Sequence, residues 1–113
     1  MLSFSFAWAG IRQLLKSEHN ARIHLGVTVL AIIAAVYFKL SPAESCAVML
    51  AIGLVWITEA FNTCIEKIMD FISTERREEI RLIKDVAAAA VLIAAIVAFS
   101  TGVIIFLPKI ISL

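Results

Sequence analysis

The sequence predicts an all-α integral membrane protein, with three transmembrane helices preceded by an N-terminal amphipathic helix lying at the membrane interface. Three observations predict it. Of the 113 residues 62% are hydrophobic, and the mean hydropathy is +1.00, whereas a soluble domain runs at about 45–50% apolar. A chain this short has too much surface for its volume to hide that much apolar area in one water-soluble core. The charges are also clustered: eight of the ten basic residues fall in two blocks, Arg12 to Arg22 and Lys67 to Lys84, and only Lys39 and Lys109 lie elsewhere.

One membrane domain accounts for residues 1–113, with no linker, repeat or low-complexity tract. Residues 2–17 carry Phe4, Trp8, Ile11, Leu14 and Leu15, with Arg12 and Lys16 between them. An apolar face with a basic flank suits a helix lying on the bilayer. The polar stretch 18–24 joins it to a first span at 24–40. Its uncharged core, Leu25–Phe38, is 14 residues, short against the ~20 of a full crossing. Arg22, His24, Tyr37 and Lys39 make it adequate as interfacial anchors.

Leu40-Ser41-Pro42 is a tight connection, with Pro42 suited to the first turn of the next helix. The second span runs over 43–70 and a charged connection over 71–83. The third span, 84–107, holds 22 uncharged residues from Val86 to Leu107, ~33 Å of helix, and Pro108-Lys109 ends it. The positive-inside rule places the N-terminus and both charged blocks in the cytoplasm and the C-terminus outside. Met1–Gly10 lacks the basic start and cleavage pattern of a removable signal. A net charge of +1 gives no reason to expect nucleic acid as a partner. Cys46 and Cys64 lie ~27 Å apart along one helix and read as small apolar fillers.

The far end of the second span is unusual. Glu59, Asn62, Glu66 and Asp70 fall at spacings of three, four and four, on one face of a helix that is otherwise apolar. Carboxylates in or near a bilayer are costly and mark cation, proton or phosphate chemistry. Most have a plainer reading: Asn62 as interhelical glue, Glu66 and Asp70 at the headgroup level, Glu18 in a surface pair with Arg22, and Lys84-Asp85 as a solvated helix start. Glu59, the deepest, is hardest to dismiss, and a non-enzymatic ion- or proton-handling membrane protein is the distant alternative. As a set, carboxylates from two helices plus a lysine can hold a divalent cation and a polyphosphate. A further carboxylate could accept a proton from an attacking hydroxyl. No Walker loop, dinucleotide fingerprint, kinase catalytic loop or H-E-x-x-H pair is present.

The string Glu59-x-x-Asn62-Thr-x-Ile-Glu66-x-x-x-Asp70, followed by Lys84-Asp85-Val-Ala-Ala, resembles the prokaryotic diacylglycerol kinase family. Trp8-Ala-Gly10 and Glu18-x-x-x-Arg22-x-His24 match it in order and spacing. The resemblance implies a homotrimer in the bacterial inner membrane, with active sites at subunit interfaces on the cytoplasmic side. It implies transfer of the γ-phosphate of MgATP to a membrane lipid alcohol. By position Glu59 matches the general base, Glu18 and Glu66 the Mg²⁺ ligands, and Lys84, Asp85 and Glu75 nucleotide contacts. Asn62 and Asp70 match polar residues that support the site. Arg76-Arg77 and Phe6 depart from the best-known branch. The Arg22-x-His24 form and the Ile-Lys-Asp-Val-Ala-Ala pattern are similar to the undecaprenol kinase branch, with diacylglycerol as the alternative substrate.

Overall fold

The computed structural model describes residues 2–75 and 77–113, and all its regular structure is helical. Four helices follow one another: α1 (Leu2–Ser17), α2 (His19–Tyr37), α3 (Pro42–Ile72) and α4 (Glu78–Ile111). The last three are long and apolar enough to cross a membrane. At 1.5 Å per residue α3 and α4 reach ~46 and ~51 Å, well beyond a hydrocarbon core of ~30 Å. Their adjoining charged ends, 66–85, therefore extend past the apolar layer on one side.

Local chemistry explains the joints. Glu18 alone interrupts α1 and α2, in an extended conformation (φ −114°, ψ 118°). The stretch after it holds no glycine or proline, so the expected polar connection 18–24 is helix almost throughout. α2 closes on Lys39 in the left-handed region (φ 53°). The Leu40 N–H reaches the Ala35 carbonyl and the Lys39 N–H the Val36 carbonyl, both at 3.2 Å, which is the Schellman arrangement. α3 opens with a reciprocal capping box. The Glu44 N–H donates to Ser41 Oγ at 3.1 Å, and the Ser41 N–H donates to Glu44 Oε1 at 2.9 Å.

Two boundaries differ from the sequence expectation. The charged connection is shorter than 71–83, because Glu78–Ile83 already form the first turns of α4. Glu78 and Glu79 in that first turn suit the positive end of the helix dipole. At the other end α4 continues through Pro108 to Ile111. A proline in the last turns removes a single ladder donor, and the Ser112 N–H still reaches the Pro108 carbonyl at 3.1 Å. Lys109 Nζ, 3.2 Å from Glu44 Oε2, ties that turn to the start of α3.

α3 and α4 form the main interface, α2 lies against α3, and α1 against α2. The buried apolar residues among those described are small: Val48, Ala51 and Val55 on α3, Ala87 and Ala94 on α4, Ala21 on α2. Small side chains let membrane helices approach closely, where dispersion replaces the hydrophobic effect as the driving force. Most large apolar side chains point outward, among them Leu50, Phe61, Phe99 and Ile104. Outward-facing apolar bulk is stable in lipid and unfavourable in water.

Ala94 is 1% exposed, so Ala94→Leu overpacks the α3–α4 seam and costs about 1–3 kcal/mol. Unfolding by denaturing detergent in micelles checks this; an unmoved midpoint means that the seam does not close on Ala94.

Candidate active site

The polar face of α3 is a ladder that descends from the interior to water. Glu59 lies on the buried stripe with Val48, Ala51, Val55 and Thr63, and is 3% exposed. Asn62 and Glu66 are half-buried, and Asp70 is exposed. Asn62 Nδ2 donates to Glu66 Oε1 at 3.0 Å. Its other amide atom, Oδ1, is buried without a partner. A buried acceptor beside a carboxylate can bond a cation, a water or a ligand donor.

At the foot of the ladder Lys84 Nζ lies 2.6 Å from Asp70 Oδ1, joining the end of α3 to the start of α4. Around this pair opens a cavity of about 490 Å³, lined by Asp70, Glu75, Arg77, Arg81, Lys84 and Asp85 among others. Arg77 faces Glu75 at 3.4 Å. Arg81 bonds Glu78 and stands 3.7 Å from Asp85. The bond that Arg81 donates to Glu78 and the nearby Asp85 charge hold the Arg81 guanidinium above its ordinary value, a fixed cation. The structure thus brings four of the expected residues, Asp70, Glu75, Lys84 and Asp85, to one water-side cavity. Arg76 lies outside the described residues.

Glu18 sits between α1 and α2, half-buried, and its side chain does not cap α2. Among the described residues no three of His, Cys, Asp and Glu gather closely enough to hold a metal ion by themselves. Mg²⁺ rarely needs such a cage, since it keeps waters and takes one or two carboxylates plus substrate phosphates. The Glu66 carboxylate and the orphaned Asn62 oxygen are hard oxygen donors of the right kind.

The sequence reading missed His24. Taken there as an interfacial anchor, it lies with Nε2 3.6 Å from Glu59 Oε2. Helix lengths held the signal. His24 is 13 residues before Tyr37 and Glu59 is 17 after Pro42, ~20 and ~26 Å from the same turn. A tight α2–α3 hairpin therefore sets the two within about one turn of each other in depth.

A second cavity, about 560 Å³, is an apolar groove between α2, α3 and α4. It runs from His24, Thr28 and Trp56 to Phe106 and Ile110.

Three helices able to span a membrane, with polar groups set inside one of them, define an integral membrane protein. Residues 5–106 match the prokaryotic diacylglycerol kinase family, and the chain belongs to it. It is 36% identical over 114 aligned positions to a diacylglycerol kinase of Synechocystis, an alignment covering 100% of this chain and 65% of that protein. The chain thus spans just under two thirds of that relative's length. It is 33% identical to an undecaprenol kinase of Bacillus subtilis (95% of this chain, 87% of that protein). It is 32% identical to a diacylglycerol kinase of Escherichia coli (88% and 82%). The family and these relatives are lipid kinases.

The Asp70–Lys84 pair is solvent-facing, with side-chain exposures of 63% and 36%. A double-mutant cycle of Asp70→Asn and Lys84→Met will give a coupling to stability below about 1 kcal/mol. A coupling of several kcal/mol would make the pair a structural strut.

Proposed function

We propose that this chain is a membrane lipid kinase that transfers the γ-phosphate of MgATP to the hydroxyl of a lipid alcohol. The observation that carries this reading is Glu59. A carboxylate 3% exposed on a membrane helix, at the inner end of a polar ladder, is where a base for a lipid hydroxyl belongs. The ladder from Glu59 to Asp70 is ~17 Å long at 1.5 Å per residue. The triphosphate then lies along it, with the nucleotide held by Lys84, Asp85 and Glu75 and its γ-end toward Glu59.

Each group has a stated task. Glu59 takes the hydroxyl proton as the lipid oxygen attacks phosphorus. The Lys84 ammonium exchanges Asp70 for phosphate oxygens and offsets their charge. Glu66, with Glu18, would hold Mg²⁺, and Asn62 keeps the Glu66 carboxylate turned by its 3.0 Å bond. Bound Mg²⁺ supplies neutralisation of phosphate charge. Completion of the site by a neighbouring copy in a homotrimer is what the resemblance to the family implies. Charge asymmetry favours a cytoplasmic active site in the bacterial inner membrane, and the apolar and basic pattern of 2–17 favours α1 as an interfacial helix.

Undecaprenol is the preferred substrate. The Arg22-x-His24 and Ile83-Lys84-Asp85-Val86 patterns support it, as does the named activity of the Bacillus subtilis relative. Diacylglycerol is the second reading, favoured by the names of the Synechocystis and Escherichia coli relatives. The apolar groove suits the tail of either.

Glu59→Gln keeps the shape and removes the base, so lipid phosphorylation falls by about 10²–10⁴-fold while assembly persists; parent-level turnover dismisses the assignment. In mixed micelles with radiolabelled ATP, undecaprenol and diacylglycerol offered together will yield mostly undecaprenyl phosphate. A product dominated by phosphatidic acid selects the second reading.

A further inference from the structure

A carboxylate out of water is costly unless a donor or cation stands beside it. At Glu59 the group that does so is the His24 imidazole, 3.6 Å away. The turn of α2 that carries it is fixed. The Thr28 hydroxyl donates to the His24 carbonyl at 2.7 Å. The Trp56 indole N–H donates to the Thr28 hydroxyl at 2.9 Å. The Trp56 ring stands edge-on to the imidazole, with centroids 6.3 Å apart. This latch ties α2 to α3 within one turn of Glu59. His24 also lines the apolar groove, where Glu59 is not a lining residue. The imidazole, with 21% of its side chain exposed, stands between the buried carboxylate and the space open to lipid.

We infer that His24 is a positioning residue for Glu59: its Nε2, 3.6 Å from Oε2, is placed to donate to the carboxylate and hold its orientation beside the groove. The inference rests on Glu59 acting as the base. Contacts of this kind are long without substrate and tighten in the reacting complex. In the reaction the lipid oxygen bonds to the γ-phosphorus and the bond from that phosphorus to the bridging oxygen of ADP breaks. The hydroxyl proton goes to Glu59, and His24 keeps its own. Trp56 and Thr28 hold the histidine in register, so the donor meets the carboxylate without searching rotamers.

An anchoring role needs only a side chain of similar bulk at this depth, whereas the positioning role needs an N–H at this point. The full-length protein is assayed in micelles with ATP and a lipid alcohol, undecaprenol and diacylglycerol being tried in turn. His24→Leu, which keeps bulk and loses the donor, is expected to lower kcat about 10–100-fold with the KM for ATP within about twofold. His24→Gln, which keeps a side-chain N–H, is expected to recover to within about fivefold of the parent. Parent-level kcat in His24→Leu, or equal loss in both variants, overturns the inference.

A second readout needs no His24 variant. The chain has two histidines, His19 and His24, so ¹⁵N imidazole spectra are readily assigned. Glu59→Gln is expected to move the His24 Nε2 resonance and leave His19 in place; an unmoved His24 signal overturns the pairing. A parent protein that phosphorylates neither lipid refutes the kinase reading itself, and this inference with it. An active parent whose variants give either overturning result refutes the inference alone.

Discussion

A carboxylate withdrawn from water inside a membrane helix is the constraint on which the arrangement turns. Glu59 occupies a position on α3 that the neighbouring turns give to Val48, Ala51 and Val55. An aliphatic residue there would pack more cheaply. Keeping an acid requires a polar neighbour at that depth, and His24 supplies it. Holding His24 in turn requires α2 to keep its register on α3, which the Trp56–Thr28–His24 chain of hydrogen bonds does. One buried acid is thereby matched by the polar groups His24, Thr28 and Trp56 between these two spans.

From Glu59 outward the environment changes in steps. The half-buried Asn62–Glu66 pair follows one turn on, and the exposed Asp70–Lys84 pair closes the ladder. The two large cavities divide along the same gradient, an apolar groove beside His24 and a charged cavity around Lys84. Phosphoryl transfer asks mainly for positioning and charge neutralisation. On the proposed reading, a ladder joining lipid to water would position an apolar alcohol and a polyanion in one frame, with neither leaving the solvent that suits it.

The outer surface of the chain is apolar. Its buried residues are mostly alanine and valine, while phenylalanine, leucine and isoleucine face outward along every helix. Lipid accommodates that surface, and so does another copy of the chain. The Asn62 Oδ1 has no bonding partner among the described residues, and the Glu18 side chain does not cap α2.

The sequence by itself determined the helices and their apolar character. A 22-residue uncharged run from Val86 to Leu107 and Ser41-Pro42 at a helix start are local signals, set by transfer free energy and backbone geometry. It also determined the polar face of α3, because a 3.6-residue period places Glu59, Asn62, Glu66 and Asp70 together whatever lies around them. Helix ends were read less well. Glu78–Ile83 and Pro108–Ile111 look like connection and terminus in charge and composition, yet are carried by helix dipole and cross-helix pairing. Tertiary structure alone decided that Glu59 is the buried member of the set, that Lys84 meets Asp70, and that His24 faces Glu59. These depend on the register of one helix against another, which close packing of small side chains fixes, and a linear pattern does not carry that register.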